Sequence, residues 1–202
     1  IMSLLTIREL SNRYGANPSY VLAGGGNTSY KDAKFLYVKP SGVALADIRE
    51  ADFVKMDRET IRKVFSLSGY ADTAEREAMV TKLMAFAVAG SAARRPSVEA
   101  PLHELMPFPY IVHLHPAAVN GLSCARNGEE ECGRLFPDAL WIPETDPGFI
   151  LAKTVYDASV KYEKEHGKAV STIFLQNHGV FVGGNSAAEI DAAYDRIMST
   201  LN

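Results

Sequence analysis

His113 and His115 are the residues best placed to do chemistry. They sit two apart in Tyr-Ile-Val-His-Leu-His, a run closed by Pro116 that predicts a strand over residues 110–115. Strand side chains repeat every two residues, so both imidazoles leave one face, about 7 Å apart at a rise of ~3.3 Å per residue. Two nitrogen ligands can then reach one metal without any loop rearrangement. His178, in the turn Asn177-His178-Gly179 between two apolar runs, is the third candidate. Three histidines around one open position suit catalytic zinc, and imidazole also suits iron, nickel or copper. A histidine on an apolar strand is often only a hydrogen-bonded core residue, but a pair at this spacing is harder to place that way. His103 and His166 have no such spacing and read as structural or surface residues.

Three polar breaks could hold an anion. Gly25-Gly26-Asn27-Thr28-Ser29 exposes backbone N–H groups beside an amide and two hydroxyls. Pro40-Ser41-Gly42 offers a hydroxyl and a free N–H, and Pro96-Ser97 precedes a short helix whose N-terminus carries partial positive charge. Each is equally readable as a plain turn. The glycine run lacks the Gly-Lys-Ser/Thr ending of a P-loop, and Ser29 stands where a dinucleotide fingerprint needs its last glycine. Lys39 and Arg95 flank two of the turns and read as solvated surface. Glu99, two residues after Ser97, is either a carboxylate favoured by a helix dipole or a general acid or base.

The elements that must position these residues alternate between helical and strand patterns. Helices are predicted over 3–14, over 72–92, from Val98 to Met106, after an Asp146 N-cap with Pro147 at the first helical position, and after the Ser186-x-x-Glu189 capping box. Strands are predicted over 34–38, 110–115, 139–142, 170–176 and 180–182. Gly24, Gly25 and Gly26 break the chain after the first helix. No repeat or linker divides the sequence, so residues 1–202 read as one α/β domain with helices covering a mixed sheet.

The 202 residues carry 22% charged and 47% apolar side chains with a formal net charge of −3. That balance excludes a cationic nucleic-acid binder as the main reading. No apolar run is long enough to span a bilayer, and Arg8 and Glu9 stand where a signal peptide needs its apolar core. Cys124 and Cys132 make no disulfide framework, so a cytoplasmic thiol pair is expected. Ile1 precedes Met2, which reads as the initiator, and the last helical pattern runs to the end, so the sequence reads as a piece of something longer.

Five elements in order resemble the class II aldolase/adducin family: Gly26-Asn27-Thr28-Ser29, Lys39-Pro40-Ser41-Gly42, Pro96-Ser97-Val98-Glu99, His113-Leu114-His115 and Gln176-Asn177-His178-Gly179. The family includes fuculose- and rhamnulose-phosphate aldolases and ribulose-phosphate 4-epimerases. The resemblance implies a three-layer α/β/α sandwich around a mixed, largely antiparallel sheet, and a homotetramer with sites at subunit interfaces. It assigns His113, His115 and His178 to Zn2+ and Glu99 to proton transfer. Asn27, Ser41, Gly42 and Ser97 would bind a small phosphorylated sugar, with Thr28 nearby. The implied reaction is retro-aldol cleavage of a ketose 1-phosphate, with an epimerase or a decarboxylase of the family as alternatives. Several aldolases of the family have serine where this chain has Val98, which leaves room for a substrate without that phosphate contact. A noncatalytic adducin-like assembly domain need not keep the histidines and carboxylate, and all four are present here.

Overall fold

The computed structural model describes residues 3–22, 25–69, 72–90 and 94–202. Among them seven strands form one sheet: β1 (Asn27–Lys31), β2 (Phe35–Val38), β3 (Val54–Asp57), β4 (Tyr110–Leu114), β5 (Leu140–Ile142), β6 (Thr172–Leu175) and β7 (Gly179–Gly184). Their order is β3-β2-β1-β4-β7-β6-β5. Every neighbouring pair is antiparallel except β5 and β6, so the sheet is mixed and largely antiparallel. Helices α1 (Leu4–Gly15), α5 (Ala117–Ser123), α6 (Gly128–Leu135) and α8 (Ala187–Leu201) pack on one face. Helices α2 (Arg58–Arg62), α3 (Thr73–Ala87), α4 (Ala100–Leu105) and α7 (Phe149–His166) pack on the other, completing three layers.

Alternation along β4 explains how one strand serves both layers. Tyr110, Val112 and Leu114 join the core beneath α1, α5 and α8, while Ile111 joins the core beneath α4 and α7. His113 leaves on the Ile111 face by the same parity. Ile111, Val112 and Leu114 are fully buried, and each such side chain contributes about 1.5–3 kcal/mol as an upper estimate. The histidine strand is therefore anchored in both layers and buried along its whole length.

Four local readings need correction. Asn27–Ser29 does not continue the glycine break. It opens β1, an interior strand in which Asn27 pairs with His113 and Ser29 with Ile111. Gly26 makes this possible: its φ is 76°, and a Cβ there would lie 2.7 Å from the His113 carbonyl. Second, α3 stops at Ala87, because Val88 turns extended and bridges Met56. Residues 91 and 92 of the longer helix expected there, like Gly24, lie outside the described residues. Third, α4 begins at Ala100 rather than Val98, with Glu99 at its N-cap position. Fourth, Asp146 does not cap α7. Gly148, at φ 101°, breaks the chain there, and the Glu77 carboxylate of α3 accepts the Phe149 N–H at 3.1 Å instead. Helices α2, α5 and α6 and strand β3 had no counterpart in the sequence reading.

Candidate metal centre and active site

The three histidines meet at one end of β4 and β7. His113 is fully buried and stacks on Phe181 of β7, with ring centres 3.9 Å apart. Its Nδ1 donates to the Val180 carbonyl at 3.0 Å, so its Nε2 is a lone pair aimed away from the strand. His115 follows the last residue of β4, and its Nε2 lies 2.8 Å from His113 Nε2. His178 sits in the β6–β7 turn, its Nε2 3.3 Å from His113 Nε2. Asn177, at φ 58°, supplies the left-handed step that turns the chain back, and its N–H donates to the Ser123 carbonyl at 3.1 Å. Gly179 is required by close approach: a Cβ there would lie 2.5 Å from His115 Cδ2.

Glu99 closes the cluster from the start of α4. Its Oε1 lies 3.2 Å from His178 Nε2 and its Oε2 3.6 Å from His113 Nε2. Asn27 Nδ2 donates to the same Oε2 at 2.5 Å. Burial alone would raise the Glu99 pKa, but His113, His178 and the Asn27 amide outweigh it and hold the carboxyl below its usual range. Burial pushes His113 down to about 3 against the pull of Glu99, and it lowers His115 as well. Near neutral pH the site therefore presents the neutral imidazoles of His113 and His115 beside an ionised carboxylate.

That donor set suits a divalent transition metal. Nitrogen ligand atoms of His113, His115 and His178 lie within 4.8 Å of one another. Because the proton of His113 is on Nδ1, its Nε2 faces its two neighbours as an acceptor only. A cation among the three nitrogens would satisfy every lone pair, and the Val180 carbonyl already provides the outer hydrogen bond that fixes a ligating imidazole. Beside Glu99 and His178 opens a cleft of about 260 Å³, walled by Val98, Leu102, Gly148 and Leu151.

A profile of the Class II Aldolase and Adducin N-terminal domain matches residues 9–199. The chain belongs to that family. Among solved structures, this aldolase-family chain is similar to the N-terminal class II aldolase domain of a conserved protein from Thermoplasma acidophilum. The TM-score is 0.80 at 23% identity, covering 97% of this chain and 90% of that one. L-fuculose-1-phosphate aldolase from Thermus thermophilus superposes with a TM-score of 0.61 at 16% identity, covering 98% and 90%. At these identities the likeness is one of fold. The uncharacterized oxidoreductase YuxG of Bacillus subtilis (strain 168) is 27% identical over 201 residues, covering 95% of this chain. The chain spans only 27% of that relative's length. Among the described residues of the family member, no helix is long and apolar enough to cross a membrane.

The residues expected to hold substrate are placed unequally. The Lys39–Gly42 and Pro96–Glu99 turns lie side by side through a Pro40–Pro96 bridge. The Ser41 N–H donates to the Arg95 carbonyl at 3.0 Å. Ser41 Oγ remains on an exposed turn, 3.4 Å from the Pro96 carbonyl, and Gly42 follows at φ 80°. Ser97 is buried, and its Oγ accepts the Glu99 N–H at 3.2 Å. Asn27 reaches the cluster, but its amide is turned onto Glu99. Thr28 is not brought to the site. It is fully buried on the opposite face of β1, with its hydroxyl 2.7 Å from Ser11 Oγ.

Two residues at the site were passed over in the sequence. His103, treated there as structural or surface, is fully buried behind Asn27 and Glu99. Its spacing of four from Glu99 was the available signal, since i and i+4 share a helix face. Lys39, read as solvated surface, is buried, and its Nζ donates to the Pro40 carbonyl at 3.2 Å. Burial lowers its pKa while the charge of Glu99 opposes the shift, so the amine stands within electrostatic reach of the carboxylate. His166 lies in the last turn of α7, away from the site.

Proposed function

We propose that this chain catalyses zinc-dependent aldol cleavage and condensation of a ketose 1-phosphate of the fuculose or rhamnulose type, releasing dihydroxyacetone phosphate and an aldehyde. The observation that carries this reading is the convergence of three imidazoles, their nitrogens within 4.8 Å of one another, with the His178 and His113 nitrogens 3.2 and 3.6 Å from the half-buried, ionised carboxylate of Glu99. Family membership and the fold shared with a protein named L-fuculose-1-phosphate aldolase support it.

His113, His115 and His178 would hold a zinc ion, which when bound supplies a Lewis acid for negative charge building on the substrate's carbonyl and neighbouring hydroxyl oxygens. In the condensation direction, Glu99 takes a proton from the hydroxymethyl carbon of dihydroxyacetone phosphate. The electron pair released from that C–H bond forms an enediolate, whose carbon attacks the aldehyde and makes the new C–C bond while the C=O pair moves onto the aldehyde oxygen, which takes a proton from solvent water to become the new hydroxyl. Cleavage runs the same steps backwards: that hydroxyl gives its proton to solvent, the C–C bond breaks to leave the aldehyde and the enediolate, and Glu99 returns its proton to carbon. Asn27 holds Glu99 with one oxygen fixed, which orients the other oxygen for proton transfer. The Ser41–Gly42 turn, the bridged Ser97 turn and the Lys39 amine supply the anchor for the phosphate end. Leu22 and Val98, 66% and 79% exposed, leave apolar surface near the site that suits a neighbouring copy in a homotetramer.

The test is direct. Zinc-loaded protein is incubated with fuculose 1-phosphate and rhamnulose 1-phosphate, and triose phosphate release is followed by a coupled enzyme. Release from either sugar supports the reading. An epimer formed without triose phosphate, or no turnover of either, overturns it.

A further inference from the structure

The aldol reading uses Glu99 and Asn27 but leaves unexplained a fully buried histidine beside them. His103 touches both layers of polar contact behind the carboxylate. Its Nδ1 lies 2.7 Å from Ser29 Oγ, and its Nε2 meets Asn27 Oδ1. Asn27 in turn gives its Nδ2 proton to Glu99 Oε2 at 2.5 Å. Ser29, His103, Asn27 and Glu99 thus form one continuous hydrogen-bonded chain.

The direction of every bond in that chain follows from the Asn27 amide, which turns its NH2 group to Glu99 and its carbonyl oxygen to His103. A carbonyl oxygen only accepts, so His103 must donate through Nε2–H. A neutral imidazole that donates at Nε2 is bare at Nδ1, so the Ser29 hydroxyl must be the donor there. Burial keeps the ring neutral, holding the His103 pKa down to about 3. With the opposite tautomer, Nε2 would face the Asn27 oxygen lone pair to lone pair. Relieving that clash by turning the amide would put the Asn27 oxygen against Glu99.

The framework around the ring leaves it little freedom. The His103 N–H donates to the Glu99 carbonyl at 3.1 Å, so both residues belong to the same helical turn. Its carbonyl accepts from Lys31 Nζ at 2.5 Å. Phe181 stands edge-on to the ring at 5.4 Å between centres, and its face supports His113.

We infer that His103 is a positioning residue: it sets the orientation of the Asn27 amide and, through it, the placement of the Glu99 carboxylate, without touching substrate. The catalytic consequence rests on the aldol reading above; the hydrogen-bond chain does not.

Two measurements test it. Nitrogen-labelled histidine NMR of the wild-type protein reads the tautomer of His103 directly. The expected result is a proton on Nε2 and a bare Nδ1 near neutral pH, and a proton on Nδ1 overturns the inference. This reading depends neither on turnover nor on a variant folding. Kinetics give the second arm. His103→Phe fills the space but donates nothing, and kcat is expected to fall about 10- to 100-fold, with KM and zinc content unchanged. His103→Gln carries an amide N–H to the position of Nε2–H and is expected to recover most of kcat. An unchanged kcat in His103→Phe overturns the inference. So does loss of zinc and folded structure in that variant with no rescue by His103→Gln, since that marks a purely structural role. Wild-type protein that releases no triose phosphate overturns the aldol reading alone, and the tautomer then decides the hydrogen-bond chain.

Discussion

Gly179→Ala tests whether the histidine cluster depends on a backbone approach that only glycine permits. The added methyl would lie 2.5 Å from His115 Cδ2 and 2.6 Å from the Leu114 carbonyl oxygen, against an ordinary contact of 3.4 Å or more. Something must move by about 0.9 Å. The carbonyl belongs to β4, in register with β7 through the Leu114–Val180 pair, and cannot give cheaply. The displacement therefore falls on His115 and on the turn carrying His178. Overpacking of this kind costs about 1–3 kcal/mol, and a functional site tolerates displacements of only ~0.5 Å. If that strain is relieved at the metal centre, zinc affinity falls about 10- to 100-fold, since tenfold is about 1.4 kcal/mol. Competition titration of zinc against a chromophoric chelator measures this, with thermal unfolding of the zinc-free protein alongside. Gly133→Ala is the control. It lies in α6 with no atom within 4 Å of the new methyl, so about 0.5–1 kcal/mol of stabilisation and unchanged zinc binding are expected. Wild-type zinc affinity and unchanged stability in Gly179→Ala would refute the steric reasoning.

Further expectations concern single residues and pH. Glu99→Gln should keep stoichiometric zinc and lose about 10²- to 10⁴-fold in turnover, and full activity would remove Glu99 from proton transfer. His113→Ala should lose zinc and activity together, which metal analysis of the purified variant checks. Thr28→Val should leave KM for the sugar phosphate unchanged and cost on the order of 1 kcal/mol in chemical denaturation, because its hydroxyl serves Ser11 and not the cleft. A raised KM would restore Thr28 to the substrate. Zinc-free protein should lose stability steadily as pH falls from about 6.5 toward 3. In that window the unfolded histidines take up protons that buried His103 and His113, at about 3, do not. The unfolded state then binds more protons, so stability rises with pH, and a flat melting temperature between pH ~6.5 and ~4 would contradict the burial-driven shifts.

The histidine cluster was legible because strand parity is strict. Two imidazoles at i and i+2 must share a face whatever packs around them, and the order of the motifs carried His178 and Glu99 to the same place. That Thr28 faces away from the cleft was not legible, for the converse reason. Asn27, Thr28 and Ser29 are polar and follow glycines, so they read as a loop, and a loop has no parity. In the fold they are interior strand residues, and alternation alone then sends Thr28 to the α1 side. Local patterns also missed the start of α7. Its first N–H is taken by Glu77, a residue of another helix, and no rule about neighbours in sequence can anticipate that. Lys39 was misread similarly, since a lysine beside a turn gives no sign that its turn will be buried.

The polarity of β1 has one cause once its face is known. Asn27, Ser29 and Lys31 point to the same side and meet α4 at three successive places. Asn27 takes the Glu99 carboxylate at the N-terminal end, and Ser29 takes the His103 ring in the middle. Lys31 Nζ donates to the carbonyls of His103, Glu104 and Met106 at the C-terminal end. Those are carbonyls a helix leaves without internal partners, so the buried Lys31 amine caps α4, its pKa lowered to about 7 by burial. An apolar strand face could pack against α4 in several sliding positions at similar energy. Three polar side chains with directional partners admit one. Shifting α4 by a turn would break all of these contacts and leave buried polar groups unpaired, each at a cost of about 1–3 kcal/mol. The strand that reads least like a strand is thus the one that fixes where Glu99 stands relative to the histidines on β4.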